Sequence, residues 1–491
     1  MKVGVILPRF KKTEILMEIK QIYTGCLAQG SYYIKCNGEA AIVDPLREVQ
    51  QYIDMAEKDG VKIKYIFETH FHADFVSGHV TLAEKTGAQI VFGPSAQTGF
   101  ESLIGKDGQR FKVGKLEIEL LHTPGHTLES SCFLVYDKHG KQHALFSGDT
   151  VFLGDVGRPD LAQKAADMTQ EELAGMLFDS IREKIMPLND DVVIYPGHGA
   201  GSACGKSMSK ETVGTIGHEK ATNYALRADM TRDEFIKEVL DGLLPSLEYF
   251  GFNVQMNKQG YVSIDEVIKS GTNLMSPDAF EKAANDTKAV ILDVRHKADF
   301  VKGFVPRSIF IGLDGGFAPW VGTLLVDVKQ PLLLVVEEGF EEEAIVRLSR
   351  VGFDNVIGIL DGGFDRWKSE GKEIDTINTI EAMDLAKLVK FENNEETRPE
   401  IFDVRKPGEF TSEHLEGAKS TPLDYIKDYI NDFPSEGKFY LHCAGGYRSV
   451  IANSILKSQG IHNGVDILGG YSAISKTDLP VTDYVCPSTI K

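Results

Sequence analysis

The sequence predicts an α/β protein in three parts: a large sandwich at the amino end and a smaller α/β domain that occurs twice behind it. Three observations carry this. The chain has 491 residues, too many for one hydrophobic core. Its first half holds short apolar strands, several ending in glycine-containing loops with histidine or aspartate. Its second half repeats itself: ILDVRHKADFVKGFVPRS, from Ile291, returns as IFDVRKPGEFTSEHLEGAKS, from Ile401, and ILDGGFDRW, from Ile359, returns as DILGGYSAI, from Asp466.

Residues 30–45 read as two strands about an Asn37-Gly38 turn, and 48–60 as a surface helix. YIFETH, 65–70, is a buried strand with candidate ligands at its carboxyl end, where α/β proteins present them. KLEIELLHTPG and HALFSGDTVF are two further strands that run into ligand-bearing loops; VVIYPGHG, 192–199, closes the set, and 211–250 is expected to be mainly helical. Residues 1–250 thus form the sandwich and 251–273 a connector. The repeat is far too long for a solenoid, so it marks a duplicated globular domain, one copy over 274–376 and the other over 380–485. The polar run FENNEETRPE, 391–400, is expected to be a loop ahead of the second copy's first core strand.

A formal net charge of -19 argues against nucleic acid or an anionic membrane as partner. No run of about 18 apolar residues offers a membrane span. The start, MKVGVILPRFKK, lacks the form of a signal peptide. Six cysteines (Cys26, Cys36, Cys132, Cys204, Cys443 and Cys486) follow no paired framework, which points to free thiols in a reducing cytoplasm. A symmetric homo-oligomer is the expectation for a multidomain metabolic enzyme.

The run His70-Phe71-His72-Ala73-Asp74-Phe75 is followed by His126 in HTPGH, Asp149 in SGD and His198 in PGHG. A lone His-x-His pair is often no more than hydrogen-bonded polar surface. Four candidate loops, each just behind an apolar strand, point to a metal. His70, His72 and His126 together would suit zinc and water activation. Two histidines with Asp149 would suit ferrous iron with three open positions. A second metal at Asp74 would need a histidine where Phe75 stands. Without it, His72, Asp74 and His198 are left to orient the ligands or the substrate. Spacing alone leaves zinc and iron both open.

HFHADFVSGH, HTPGHT, SGDTVFLGDVGRPDL and YPGHGAGSACG resemble the persulfide dioxygenase branch of the metallo-β-lactamase superfamily, an αββα sandwich similar to glyoxalase II in fold. The resemblance implies one Fe(II) per chain, held by His70, His126 and Asp149, and oxidation of a sulfane sulfur by dioxygen. Phe75 departs from the many members that keep a histidine there without using it for iron, and leaves the implied triad intact. Arg158, in GRPD, fits an anion-orienting role for a persulfide. Cys204, in GAGSACGKS, stands near enough to His198 in sequence to bring a thiol toward the metal, either to carry sulfur or as a small packed side chain.

In FYLHCAGGYRSVIANSILKSQG an apolar strand ends at Cys443, and Ala444, Gly445, Gly446 and Tyr447 form a tight loop before a helix that opens near Arg448 or Ser449. Loop amides and the helix amino end favour a thiolate there and would hold a persulfide or an oxyanion. Arg448 adds a fork of donors suited to sulfite or thiosulfate. The cysteine and arginine spacing, the DVR triplet and the late glycine pair resemble the rhodanese sulfurtransferases. The resemblance implies that Cys443 is the nucleophile and that Asp403 and Arg405 are a structural ion pair. In the first copy the matching stretch reads LLLVVEEGFEEEA, with Val336 in the place of Cys443 and Glu341 in that of Arg448. Gly339 can still support the turn, and the carboxylates would repel anions. This copy resembles an inactive rhodanese.

The order of modules resembles the multidomain persulfide dioxygenase–sulfurtransferases of bacterial sulfide detoxification. It implies that persulfides of the glutathione, coenzyme A, cysteine or bacillithiol type are oxidised to thiol and sulfite, and that sulfite takes sulfur from Cys443 to give thiosulfate. A glyoxalase II-like zinc thioester hydrolase fused to a sulfurtransferase is the alternative, opposed by Phe75. A flavodiiron-like oxidoreductase would need a flavodoxin domain, and a scaffold would leave both sites idle.

Overall fold

The computed structural model describes residues 17–163, 167–243, 245–325, 327–391 and 398–486. The amino-terminal dodecapeptide and most of FENNEETRPE lie outside the described residues. The chain divides into two compact units, Met1–Ser246 with Phe250–Tyr261, and Leu247–Tyr249 with Val262–Lys491.

In the first unit two six-stranded sheets pack face to face. One runs in the order Glu18–Thr24, Gln29–Cys36, Glu39–Val43, Lys62–Phe67, Gln89–Phe92, Leu103–Ile104; the other in the order Gly214–Thr215, Val193–Pro196, Gln142–Gly148, Ser131–Tyr136, Leu116–His122, Arg110–Val113. Side chains alternate across a strand, so Gln29–Cys36, buried along its whole length, serves two cores at once. Tyr32 and Ile34 face the other sheet with Phe67, Phe111, Phe133 and Phe146. Tyr33 packs on the opposite side with Ile42, Ile66, Tyr52 of helix Gln50–Asp59 and Leu82 of helix His79–Thr86. Behind the second sheet, Leu134, Leu145 and Ile194 meet Leu177 of helix Gln170–Ser180 and Phe235 of helix Arg232–Leu240. The layering is the expected αββα sandwich.

Residues 211–250 are more broken than the expected helical stretch. Thr215, Asn223 and Thr231 each turn a side-chain oxygen to a backbone amide two or three residues on, and each restarts the chain. The helices there are short, Ile216–Thr222 and Arg232–Leu240. The stretch expected as a connector, 251–273, is also structured: Phe250–Gln259 and Ile264–Gly271 are helices. The first of them is tied into the sandwich by Asn257, only 1% exposed. Its amide donates to the carbonyls of His72 and Phe75, both at 2.8 Å, and its oxygen accepts from the Ser77 amide at 2.8 Å.

The second unit bears out the duplication. Its two five-stranded sheets are parallel and have the same strand order: Leu274–Met275, Val356–Leu360, Leu332–Val335, Val290–Asp293, Ile309–Phe310 in one copy, and Asn378–Glu381, Gly464–Leu468, Phe439–His442, Glu400–Asp403, Lys419–Ser420 in the other. The DVR triplets form the same buried ion pair in each. Arg295 Nη2 reaches Asp293 at 2.6 Å and Arg405 Nη2 reaches Asp403 at 2.6 Å. The spare donor of each arginine caps a carbonyl, of Gly303 or Glu413. Among the described residues no helix is long and apolar enough to cross a membrane.

Asn257→Ala would strand two buried carbonyls and one amide, so it is expected to destabilise the first unit by about 3 kcal/mol in urea unfolding. A loss below about 0.5 kcal/mol would mean that the helix does not hold the His72–Ser77 loop.

Candidate metal centre and sulfur-transfer site

The metal-site loops follow strand ends of both sheets. Lys62–Phe67 leads to His70, His72 and Asp74, Leu116–His122 to His126, Gln142–Gly148 to Asp149 and Val193–Pro196 to His198. Two glycines allow the close approach. Gly148 has φ +50° and a side chain on it would strike Thr69 at 2.6 Å; one on Gly197 would strike Asp149 Oδ1 at 2.5 Å.

His70, His126 and Asp149 come together as the sequence predicts, all buried, with one potential ligand atom each inside a 4.8 Å sphere of mutual distance. Asp149 Oδ2 lies 3.8 Å from His70 Nε2 and 3.6 Å from His126 Nε2. The outer ring nitrogens are committed. Thr69 Oγ1 donates to Asp44 Oδ2 at 2.9 Å, so His70 Nδ1 must donate to Thr69 Oγ1, also 2.9 Å away. His126 Nδ1 donates to the Arg158 carbonyl at 2.8 Å. Both Nε2 atoms therefore face Asp149 Oδ2, a buried oxygen without a hydrogen-bond partner. These residues fit a metal ion. Burial and the neighbouring His72 hold His70 well below the usual imidazole range, in the neutral form a metal requires.

His72 is not part of that triad. Its Nε2 lies 3.2 Å from Asp44 and 3.6 Å from Glu68, and its ring packs against Phe75 at a tilt of 36°, with ring centroids 4.3 Å apart. Asp74, His198 and Cys204 gather as a second buried group. His198 Nδ1 donates to Asp149 Oδ1 at 2.9 Å and Nε2 is 2.8 Å from Asp74. Burial opposes charge on His198, but Asp149 and Asp74 outweigh it and hold the ring well above its usual range. Asp149 is its counterpart: burial raises its carboxyl, and His198 and His70 outweigh that to hold it well below. Cys204 is pushed well up by burial and by Asp74 and Asp149, so it is a thiol here. The guanidinium of Arg158 is bound by Asp160 through two bonds of 2.7 Å, and it is the backbone of Arg158 that touches the site.

Cys443 directly follows strand Phe439–His442, and helix Arg448–Ser458 opens at Arg448. Between them Gly446, at φ +89°, turns its amide to Cys443 Sγ at 3.1 Å. Ser449 Oγ is 3.7 Å from the same sulfur. The late glycine pair supports the loop from below: the Tyr471 and Ser472 amides donate to the carbonyls of Cys443 and Ala444 at 2.7 and 3.0 Å. Tyr447 OH donates to the Gly312 carbonyl of the first copy at 3.0 Å. Arg448 is engaged by Glu409 through bonds of 2.6 and 2.8 Å.

Residues 24–198 match the metallo-beta-lactamase superfamily, and 276–370 and 385–477 match the rhodanese-like domain. A crystal structure of a metallo-β-lactamase from Staphylococcus aureus subsp. aureus COL is similar, with 32% identity and a TM-score of 0.62, over 70% of this chain and 99% of that one. The chain belongs to the metallo-β-lactamase superfamily. Its superfamily domain is 33% identical to a hydroxyacylglutathione hydrolase of Polaromonas sp., over 37% of this chain and 66% of that protein. It is 29% identical to the mitochondrial persulfide dioxygenase of Homo sapiens, over 45% of this chain and 78% of that protein. Behind the metallo-β-lactamase domain stand the two rhodanese-like domains, and the loop of the first keeps the backbone turn with different side chains. Val336 follows strand Leu332–Val335 as Cys443 follows its own strand, and Gly339 has the same φ of +89° as Gly446. Helix Glu341–Ser349 opens on three glutamates. The cleft of about 830 Å³ at this loop is lined by Glu337, Glu338, Glu341, Asp361 and Asp365 against Arg295, Lys302 and Lys368.

Sequence reasoning missed Asp44, Thr69, Glu409 and Ser449. Thr69 stands beside His70 in YIFETH, and Asp44 ends the strand AAIVDP, so both were in sight. Glu409 reaches Arg448 from 39 residues away, which no local pattern announces. Thr69→Val removes the acceptor for His70 Nδ1 and is expected to weaken metal binding by roughly 10–100-fold in a chelator competition. Unchanged affinity would mean that the backbone alone aims His70.

Proposed function

We propose that the metallo-β-lactamase domain oxidises a low-molecular-weight persulfide at a single ferrous ion, and that the second rhodanese-like domain passes sulfane sulfur to sulfite through Cys443. The supporting observation is the donor set: two imidazoles and one carboxylate converge, while Phe75 stands where a second metal would need a further histidine and packs against the His72 ring. Similarity to the human persulfide dioxygenase points the same way. A bound ferrous ion supplies the redox chemistry that joins dioxygen to sulfur. The chain's residues set the geometry: Thr69 and the Arg158 carbonyl aim the two histidines, and His198 holds one oxygen of Asp149 so that the other is presented inward. One persulfide, one dioxygen and one water give one thiol, one sulfite and two protons. At the second site the Cys443 thiolate attacks the outer sulfur of a persulfide and releases the thiol. Sulfite then takes that sulfur as thiosulfate and returns the electron pair of the broken bond to Cys443. The Gly446 amide, pointed at the sulfur, stabilises the thiolate at both stages.

The second reading, zinc thioester hydrolysis, has its own support. The hydroxyacylglutathione hydrolase of Polaromonas sp. is similar to this domain, and Asp74, His198 and Cys204 lie together beside Asp149 as donors for another ion.

Protein purified without dioxygen is expected to hold one iron per chain and to take up one dioxygen per glutathione persulfide. Zinc-only protein that hydrolyses a glutathione thioester and consumes no dioxygen would sink the dioxygenase. Asp149→Ala is expected to lower oxygen uptake more than about a hundredfold while sparing sulfur transfer. Cys443→Ser is expected to keep sulfite formation and lose enzymatic thiosulfate. Thiosulfate at the parental rate in that variant would remove Cys443 from the chemistry.

A further inference from the structure

The proposed acceptor, sulfite, is a dianion, and the outer sulfur of a Cys443 persulfide is itself negative at the moment of attack. Bringing them together costs Coulomb energy unless a positive charge stands at the loop. Arg448 is a poor candidate for that task alone, because both its terminal nitrogens already bond Glu409 and the pair sums to zero charge.

An uncommitted cation comes instead from the copy that has no nucleophile. Lys297 opens the short helix Lys297–Phe300 in the first copy's DVRHKADF run. Its Nζ lies 3.5 Å from where a methyl group on Gly446 would sit, and Gly446 is the residue whose amide faces Cys443 Sγ. Lys297 forms no ion pair among the described residues. Asp466, on strand Gly464–Leu468, is an acid that Lys297 acts on, and burial pushes that carboxyl up to about 7 against the opposing effects of Ser449 and Lys297.

The distance between Lys297 and the loop is set by buried contacts. Tyr447 bonds the Gly312 carbonyl, and its ring lies so close to Gly315 that a side chain there would meet it at 2.4 Å. The Phe310 amide donates to Ser454 Oγ at 2.9 Å, in the middle of the helix that follows the loop. Buried Lys457, on the same helix, pairs with Asp375 at 2.9 Å.

We propose that Lys297 binds the anionic sulfur acceptor at the Cys443 site, so that the copy without a nucleophile completes the active site of the other. This rests on the reading of Cys443 as a sulfur carrier. In the step, the lone pair on sulfite sulfur attacks the outer sulfur of the Cys443 persulfide. A new sulfur–sulfur bond forms as the bond to Sγ breaks, and that electron pair stays on Sγ as thiolate. Lys297 exchanges no proton; its charge offsets that of the incoming dianion.

The test uses the full chain without dioxygen, glutathione persulfide as donor, and either sulfite or uncharged dithiothreitol as acceptor, with Cys443→Ser as the background. Lys297→Ala is expected to raise KM for sulfite roughly tenfold with little change in kcat, and to affect transfer to dithiothreitol far less; Lys297→Arg is expected to restore most of the sulfite KM. A sulfite KM in Lys297→Ala within about twofold of the parent overturns the proposal, as does an equal loss with both acceptors. A parent rate no greater than that of Cys443→Ser overturns the sulfur-carrier reading, and this proposal with it. A parent rate that depends on Cys443 leaves that reading standing whatever Lys297→Ala does.

Discussion

Asp149 divides its two oxygens between two tasks, and the amino-terminal site is arranged around that division. One oxygen accepts from His198; the other is buried, has no hydrogen-bond partner and faces the two imidazoles of His70 and His126. A buried carboxylate oxygen left in this state is costly in a folded protein unless a cation answers it. The surrounding sequence keeps it so. Gly148 and Gly197 allow the backbone approach that places the carboxylate, while Thr69 and the Arg158 carbonyl take up the outer nitrogens of the histidines. Phe75 then excludes a further imidazole on the His72 side, and His72 turns to Asp44 and Glu68.

The carboxy-terminal unit presents one backbone with two electrostatic characters. Strand, left-handed glycine and helix recur with matching geometry in both copies. In one, a cysteine sulfur receives an amide and an arginine opens the helix. In the other, a valine stands at the turn and glutamates open the helix. Carboxylates at a helix amino end are favourable for the helix itself, so Glu341, Glu342 and Glu343 stabilise the helix of the first copy.

Much of this was legible in the sequence because the signals were local. Short apolar strands running into loops with His, Asp and Gly marked the ligand loops, and the repeated DVR and glycine-pair segments marked the duplication. His70, His126 and Asp149 were named from their place behind strands and from family resemblance, and they do meet. What escaped was set by contacts between distant segments. Arg158 fits an anion-orienting role within GRPD, but Asp160, two residues away, occupies its guanidinium. That Glu409 occupies Arg448, that Cys204 lies beside Asp74 and His198, and that Phe250–Gln259 docks through Asn257 depend on the folded chain. The helical span expected over 211–250 is broken for a different reason: Thr215, Asn223 and Thr231 interrupt it with side-chain bonds to backbone amides.

Helix Arg448–Ser458 is buried from Ser449 through Lys457, with no wet face along that length. A helix behind a sheet ordinarily keeps a polar stripe for solvent. Here the first copy occupies that side, through the Phe310 amide on Ser454 and through Asp375 on Lys457. Duplication has thus become dependence. A gene fragment encoding the second copy by itself would carry the nucleophile and its loop intact, yet would turn an apolar, half-neutralised helix out into water, making it prone to self-association. The surface that the first copy offers its sibling, through Phe310 and Asp375, is thus part of what keeps the second copy's helix covered.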